Sequence, residues 1–173
     1  MLVLACLVAI PTGAVSAHVR NTPQPTNVEA LAACPVDGSS EFVDDWGDRR
    51  SGGRQHQGVD MVAERGTPVV AVRAGQAEFK RSNLGGNAIW LISATGERFY
   101  YAHLDRWAGS SRAVVAGEVI GYVGSSGNAR GDHLHFESYA GKSPVNPYPL
   151  ADEACRPSSD NAPAALASRA MLR

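Results

Sequence analysis

Apolar positions along this chain come in short runs rather than at helical spacing. Segments 67–74 (TPVVAVRA), 87–93 (NAIWLIS), 98–104 (RFYYAHL), 113–115, 119–123 and 133–139 (HLHFESY) are rich in β-branched or aromatic residues, and glycine-containing turns separate them. Such runs read as strands joined by tight connections. Ala94-Thr95-Gly96-Glu97 reads as a hairpin turn, and 84–86 (LGG) and 124–128 (GSSGN) read as loops. No stretch of this region keeps helical periodicity over three turns. The pattern predicts a mainly β fold, a compact antiparallel sheet with little helix.

The ends of the chain differ from this middle. Residues 1–17 carry no charge and combine an apolar run over 2–10 with Pro11 and a small-residue Val15-Ser16-Ala17 stretch, as a signal peptide does. The apolar run is too short for a membrane span, which needs about 20 residues. Residues 18–33 form a polar connector containing Pro23 and Pro25, and beyond Cys155 the chain is rich in Pro, Ser and Ala with little to bury. The expected division is a leader at 1–17, a connector at 18–33, the working domain at 34–150 and a flexible tail at 151–173. If Cys6 leaves with the leader, Cys34 and Cys155 remain as a pair bracketing the patterned region. A disulfide between them, and an extracytoplasmic location, are the expectation.

Composition narrows the function classes. With 173 residues and 44% hydrophobic content the chain has material for one cored domain. Sixteen basic against 17 acidic residues give a formal charge of −1, which is not the footprint of a nucleic-acid binder. No phosphate loop and no strand-linked dinucleotide motif is present, so nucleotide chemistry has no support either.

The chemistry lies with the histidines. Of five, His18 sits beside the expected cleavage site and the other four, His56, His103, His133 and His135, fall inside the domain. His133 and His135 alternate on an expected strand, so both rings project from one sheet face while Leu134 and Phe136 project from the other. His56 and Asp60 stand four apart in a glycine-rich stretch that disfavours helix. A turn entering a strand brings such a pair onto one ion, and three protein ligands with an open position make a catalytic rather than a structural zinc site. Tyr101 and His103 are expected to share a face by the same alternation.

The ordered set GRQHQGVD at 53–60, GTPV at 66–69, YAHL at 101–104, GYVGSSGNARG at 121–131 and HLHFE at 133–137 resembles the lysostaphin/LytM-type zinc metallopeptidases, over about residues 46–147. The resemblance implies that His56, Asp60 and His135 bind one Zn²⁺ per chain. His103 and His133 would then be the two catalytic histidines beside the zinc-activated water, His133 as general base and His103 orienting the water and steadying the oxyanion, roles that are exchangeable at this level. Tyr101 is a candidate further donor to the oxyanion or substrate. Asp132, next to His133, reads as a solvated loop-end carboxylate or an acceptor behind His133. Glu137 is left as a structural partner on the histidine face. The family cleaves peptide bonds of peptidoglycan, so the implied protein is a secreted zinc endopeptidase of the cell envelope, working as a monomer and not inserted in the membrane once the leader is gone. The alternative within the same family is a silent binding module that regulates a partner wall hydrolase, and the presence of all five site residues weighs against it.

Overall fold

The structure, a computed structural model, describes residues 29–156. The leader at 1–17, most of the connector and residues 157–173 lie outside the described residues. Among the described residues there are ten strands and one α-helix: β1 (Val59–Val62), β2 (Pro68–Val70), β3 (Gly75–Ser82), β4 (Gly86–Ser93), β5 (Arg98–Leu104), β6 (Arg106–Trp107), β7 (Arg112–Val114), β8 (Val119–Tyr122), β9 (His133–Ala140), β10 (Ser143–Val145) and α1 (Tyr148–Cys155). All pairings are antiparallel, so the expected fold class holds. One sheet runs β1-β9-β5-β4-β3-β7 with β10 added against β9, and a smaller sheet runs β2-β8-β6.

The hydrophobic effect assigns the faces. Met61, Ile89, Leu91, Phe99, Tyr101, Leu134 and Phe136 of the large sheet meet Val69, Ile120 and Val123 around the small one in a single core. Stacked Phe99 and Phe136 rings 5.9 Å apart lie at its centre. Because alternate residues of β9 turn inward, His133, His135, Glu137 and Tyr139 are left on the outer face.

β3 went unrecognised in the sequence for a physical reason. Of its eight residues only Ala77 is buried, so no apolar alternation marks it, and its order comes from continuous pairing with β4 from Gly75↔Ser93 to Ser82↔Gly86. The turn over 94–97 is the expected hairpin, with Gly96 at φ +87° and its N–H donating to Ser93.

The domain reaches past 34–150 at both ends. Leu31 packs into the core, and α1 runs through the expected boundary with Ala151 fully buried. Residues 151–155 therefore belong to the domain rather than to a tail. Cys34 and Cys155 are joined by a disulfide across a sequence separation of 121, which ties this helix to the strand-entry segment. Closing a loop of that length limits the unfolded chain by roughly 4–5 kcal/mol in the chain-entropy account. Replacing both cysteines with serine is expected to lower Tm by about 10–15 °C in a thermal melt; a melt unchanged within a couple of degrees would contradict that account.

Candidate metal centre

β1 and β9 pair with Asp60 directly opposite His135 and Val62 opposite His133. That register brings the carboxylate of one strand against the imidazole of the next. His56 enters from the turn before β1, and the spacing of the HQGVD run is set by Gly58. A Cβ there would stand 2.6 Å from the Phe136 carbonyl and 2.7 Å from the His135 ring, so no larger residue lets the turn close onto β9.

Three ligand-capable atoms converge as a result. His56 Nε2 lies 3.1 Å from Asp60 Oδ1 and 2.9 Å from His135 Nδ1, and His135 Nδ1 lies 2.9 Å from Asp60 Oδ1. Those sides are close to the roughly 3.3 Å edge of a tetrahedron with metal bonds of about 2.0–2.1 Å. The outer nitrogens are already committed. His135 Nε2–H donates to Glu137 Oε1 at 2.8 Å, and the other Glu137 oxygen accepts from Tyr139 at 2.5 Å. His56 Nδ1 stands 3.0 Å from the Asp45 carbonyl and 3.1 Å from its carboxylate.

With its outer hydrogens spoken for, the centre presents two nitrogen lone pairs and a carboxylate oxygen to one another, an arrangement that only a cation relieves. A proton is one solution: burial opposes charge on His135, but Asp60 and Glu137 outweigh it and raise the imidazole to about 9. Burial likewise works against the Asp60 carboxylate, yet His135 and His56 hold it far below the usual carboxylate range. A divalent metal held by His56, Asp60 and His135 would satisfy all three atoms at once in place of that proton. The donor set of two imidazoles and one carboxylate therefore fits a metal with an open fourth position.

The two remaining histidines flank this centre. His133 Nδ1 lies 3.0 Å from the Gly131 carbonyl and His103 Nδ1 lies 2.8 Å from the Ser126 carbonyl. Each donates from Nδ1, so Nε2 of both rings is the acceptor. His133 Nε2 is 3.7 Å from Asp60 Oδ1, and the His103 and His133 rings are 4.8 Å apart. Burial pushes His103 down to about 4, so it is neutral near pH 7.

His103 reaches this position through a β-bulge. On β4 the partners step from Ile89 to Asn87 while on β5 they step from Tyr101 to Leu104, which inserts one extra residue and inverts the alternation. His103 takes φ +66°, the one non-glycine residue with positive φ among the described residues, a conformation that costs roughly 1–2 kcal/mol. Backbone contacts hold it there: its N–H donates to Gly85 and its carbonyl accepts from Ser126. The loops supplying those contacts approach closely enough that a Cβ on Gly127 would meet the Leu84 carbonyl at 2.2 Å.

The bulge corrects the expectation for Tyr101. Its side chain is fully buried and its oxygen accepts from the Val72 N–H at 3.0 Å, so it is a core residue that no substrate reaches. Tyr100 lines the cleft instead. Asp132 is part-exposed, as a loop-end carboxylate, and accepts from Arg65 at 2.6 Å; Arg65 also bonds Asp105 and Ser125, pinning the 125–132 loop. Asp45 and Arg50 were missed altogether. Arg50 bonds Asp45 at 2.6 Å and Asp60 at 2.9 Å, and the same nitrogen stands 2.6 Å from His56 Nδ1; these contacts join an irregular loop to the site and leave no periodic trace in sequence. His56, Asp60, His103, His133, His135 and Tyr100 all line one cleft of about 940 Å³.

Residues 54–147 match the model of peptidase family M23. The chain is 43% identical over 99 residues to DD-carboxypeptidase/endopeptidase Mpg of Neisseria meningitidis serogroup B, covering 57% of this chain and 23% of that protein. It therefore spans less than a quarter of the length of that relative. Among solved structures, the catalytic domain of the antimicrobial peptidase lysostaphin from Staphylococcus simulans matches with a TM-score of 0.59 at 33% identity, over 65% of this chain and 92% of that one. A zinc-containing peptidase from Vibrio cholerae matches with a TM-score of 0.60 at 26% identity, over 68% of this chain and 39% of that one.

Because Glu137 fixes which His135 nitrogen faces the centre, Glu137→Ala is expected to weaken divalent-metal affinity by about 10–100-fold. Competition with a coloured chelator measures it, and affinity equal to that of the unaltered chain would refute the role.

Proposed function

This chain belongs to peptidase family M23, and on that premise we propose that it is a secreted zinc endopeptidase that hydrolyses peptide bonds of bacterial peptidoglycan. The observation that carries the reading is the pairing of two histidine sets with opposite commitments: His56 and His135 turn lone pairs onto Asp60, while His103 and His133 keep theirs open to the cleft. A metal carrier without hydrolysis has no use for the second set.

Zinc held by His56, Asp60 and His135 would supply an acidified water and a Lewis acid for the scissile carbonyl. His133 takes a proton at Nε2, because its Nδ1–H is held by Gly131. It is also the more open of the two, with a side chain 14% exposed. His103, neutral and anchored through Nδ1 to Ser126, accepts a hydrogen at Nε2 and so orients the attacking water. It steadies an oxyanion only after Nε2 has gained a proton. Tyr101 has no part in this.

The names of relatives support the substrate class, since Mpg is called a DD-carboxypeptidase/endopeptidase and another relative, ALE-1 of Staphylococcus capitis, a glycyl-glycine endopeptidase. The disulfide and the expected leader support an extracytoplasmic location for a monomeric enzyme.

Zinc content and release of soluble peptides from purified peptidoglycan test the proposal together. The expected result is about one zinc per chain and release that stops on chelation and returns with added zinc. Replacing His133 with Ala is expected to lower kcat by about 10²–10⁴-fold and leave zinc content near that of the unaltered chain. Parallel loss of zinc and turnover would overturn the role given to His133, and bound zinc with no cleavage of any wall preparation would favour a silent binding module.

A further inference from the structure

The charge around the cleft does not match the charge of the chain. Overall the protein is close to neutral, at −1, yet the cleft is lined by Arg49, Arg50, Arg54 and Arg130 against only two carboxylates, Asp60 and Glu137. Both carboxylates are engaged, Asp60 with His56, His135 and Arg50, and Glu137 with His135 and Tyr139. Arg50 is neutralised by Asp45 and Asp60.

The other three are not neutralised. Arg49, Arg54 and Arg130 are exposed, and none takes part in an ion pair among the described residues. Arg54 is steadied only by neutral acceptors, the carbonyl and hydroxyl of Ser51. Elsewhere Arg65, Arg73, Arg106, Arg112 and Arg156 have carboxylate partners, and Arg81 and Arg98 lie over the rings of Trp107 and Trp90. Among the described residues, arginine with neither a carboxylate nor an aromatic partner is thus confined to the cleft rim, contributed by two loops, one before β1 and one before β9. A second feature agrees: Val62 and Leu84, 58% and 50% exposed, also line the cleft, offering apolar contact to substrate side chains.

Resting on the peptidase reading above, we infer that Arg49, Arg54 and Arg130 select a peptide that carries free carboxylates and small side chains beside the scissile bond. Stem-peptide cross-links of peptidoglycan have this chemistry. An oligoglycine bridge has neither charge to meet the guanidiniums nor side chains to cover Val62 and Leu84. Arginine forks recognise carboxylates bidentately, and a cleft with low-dielectric walls focuses the field of its rim onto the ligand.

The test uses the full chain loaded with zinc and three probes: a cross-linked stem-peptide dimer with free carboxylates, the same dimer with its carboxylates converted to amides, and a pentaglycine-bridged peptide. Binding by calorimetry and kcat/KM by chromatography are both measured, at low and high salt. The unaltered chain is expected to prefer the free-carboxylate dimer over its amide by about tenfold or more in both quantities, with the preference shrinking at high salt. In the Arg49→Gln, Arg54→Gln, Arg130→Gln triple variant the ratio is expected to fall towards one, with circular dichroism matching the parent. Equal binding of the dimer and its amide, a preference for pentaglycine, or a ratio that survives in the triple variant would each overturn the inference. Tighter binding of the free-carboxylate dimer with no cleavage of any probe would sustain the inference while removing the peptidase reading it rests on.

Discussion

Three acceptor atoms, one carboxylate oxygen and two imidazole nitrogens, are held within 3.1 Å of one another on the outer face of a sheet. Left to themselves they repel, and burying such groups without a counter-charge costs several kcal/mol. Much of the surrounding structure works to keep them together. The β1–β9 register sets Asp60 against His135, the missing side chain at Gly58 lets His56 close on both, and Glu137 and Asp45 occupy the outer nitrogens. The core beneath supplies the rigidity, since Leu134 and Phe136 anchor the strand whose other face carries the histidines.

His103 and His133, the histidines proposed as catalytic, obey a related rule with the opposite outcome. Each spends Nδ1–H on a backbone carbonyl, which leaves Nε2 free over the cleft. For His103 this requires a left-handed backbone at the end of β5, and the strain is offset by hydrogen bonds to the 84–86 and 126–128 loops. Those loops are in turn fixed by close glycine contacts and by Arg65, which ties Asp105, Ser125 and Asp132 together. Position and tautomer are thus set before any substrate arrives, which is how a site of this kind lowers its reorganisation cost.

Much of this was legible in sequence wherever an element buries one clean face. The runs at 87–93, 98–104 and 133–139 became β4, β5 and β9 within a residue at each end, and the alternation of His133 and His135 placed both rings on one face. The same logic failed where the chain departs from simple alternation. An inserted residue in β5 turned His103 off the face it was expected to share with Tyr101, which stays buried in alternation with Phe99. β3, with one buried residue, carried no pattern to read. Asp45, Arg50 and the partner of Asp132 meet the site through irregular loops, at separations that no local rule connects. The helix at the C-terminal end was concealed by its length, only eight residues with Ala151 alone fully buried. Resemblance carried the ligand set further than local pattern did, because Asp60 and His135 are 75 residues apart and only the fold makes them neighbours.

X-ray absorption at the zinc edge on the purified chain tests the central claim most directly. The account predicts one zinc per chain surrounded by nitrogen and oxygen at about 2.0–2.2 Å, with the multiple scattering of two imidazoles, reduced to one in His135→Ala. Zinc bound through sulfur, or a spectrum unchanged by that substitution, would contradict it.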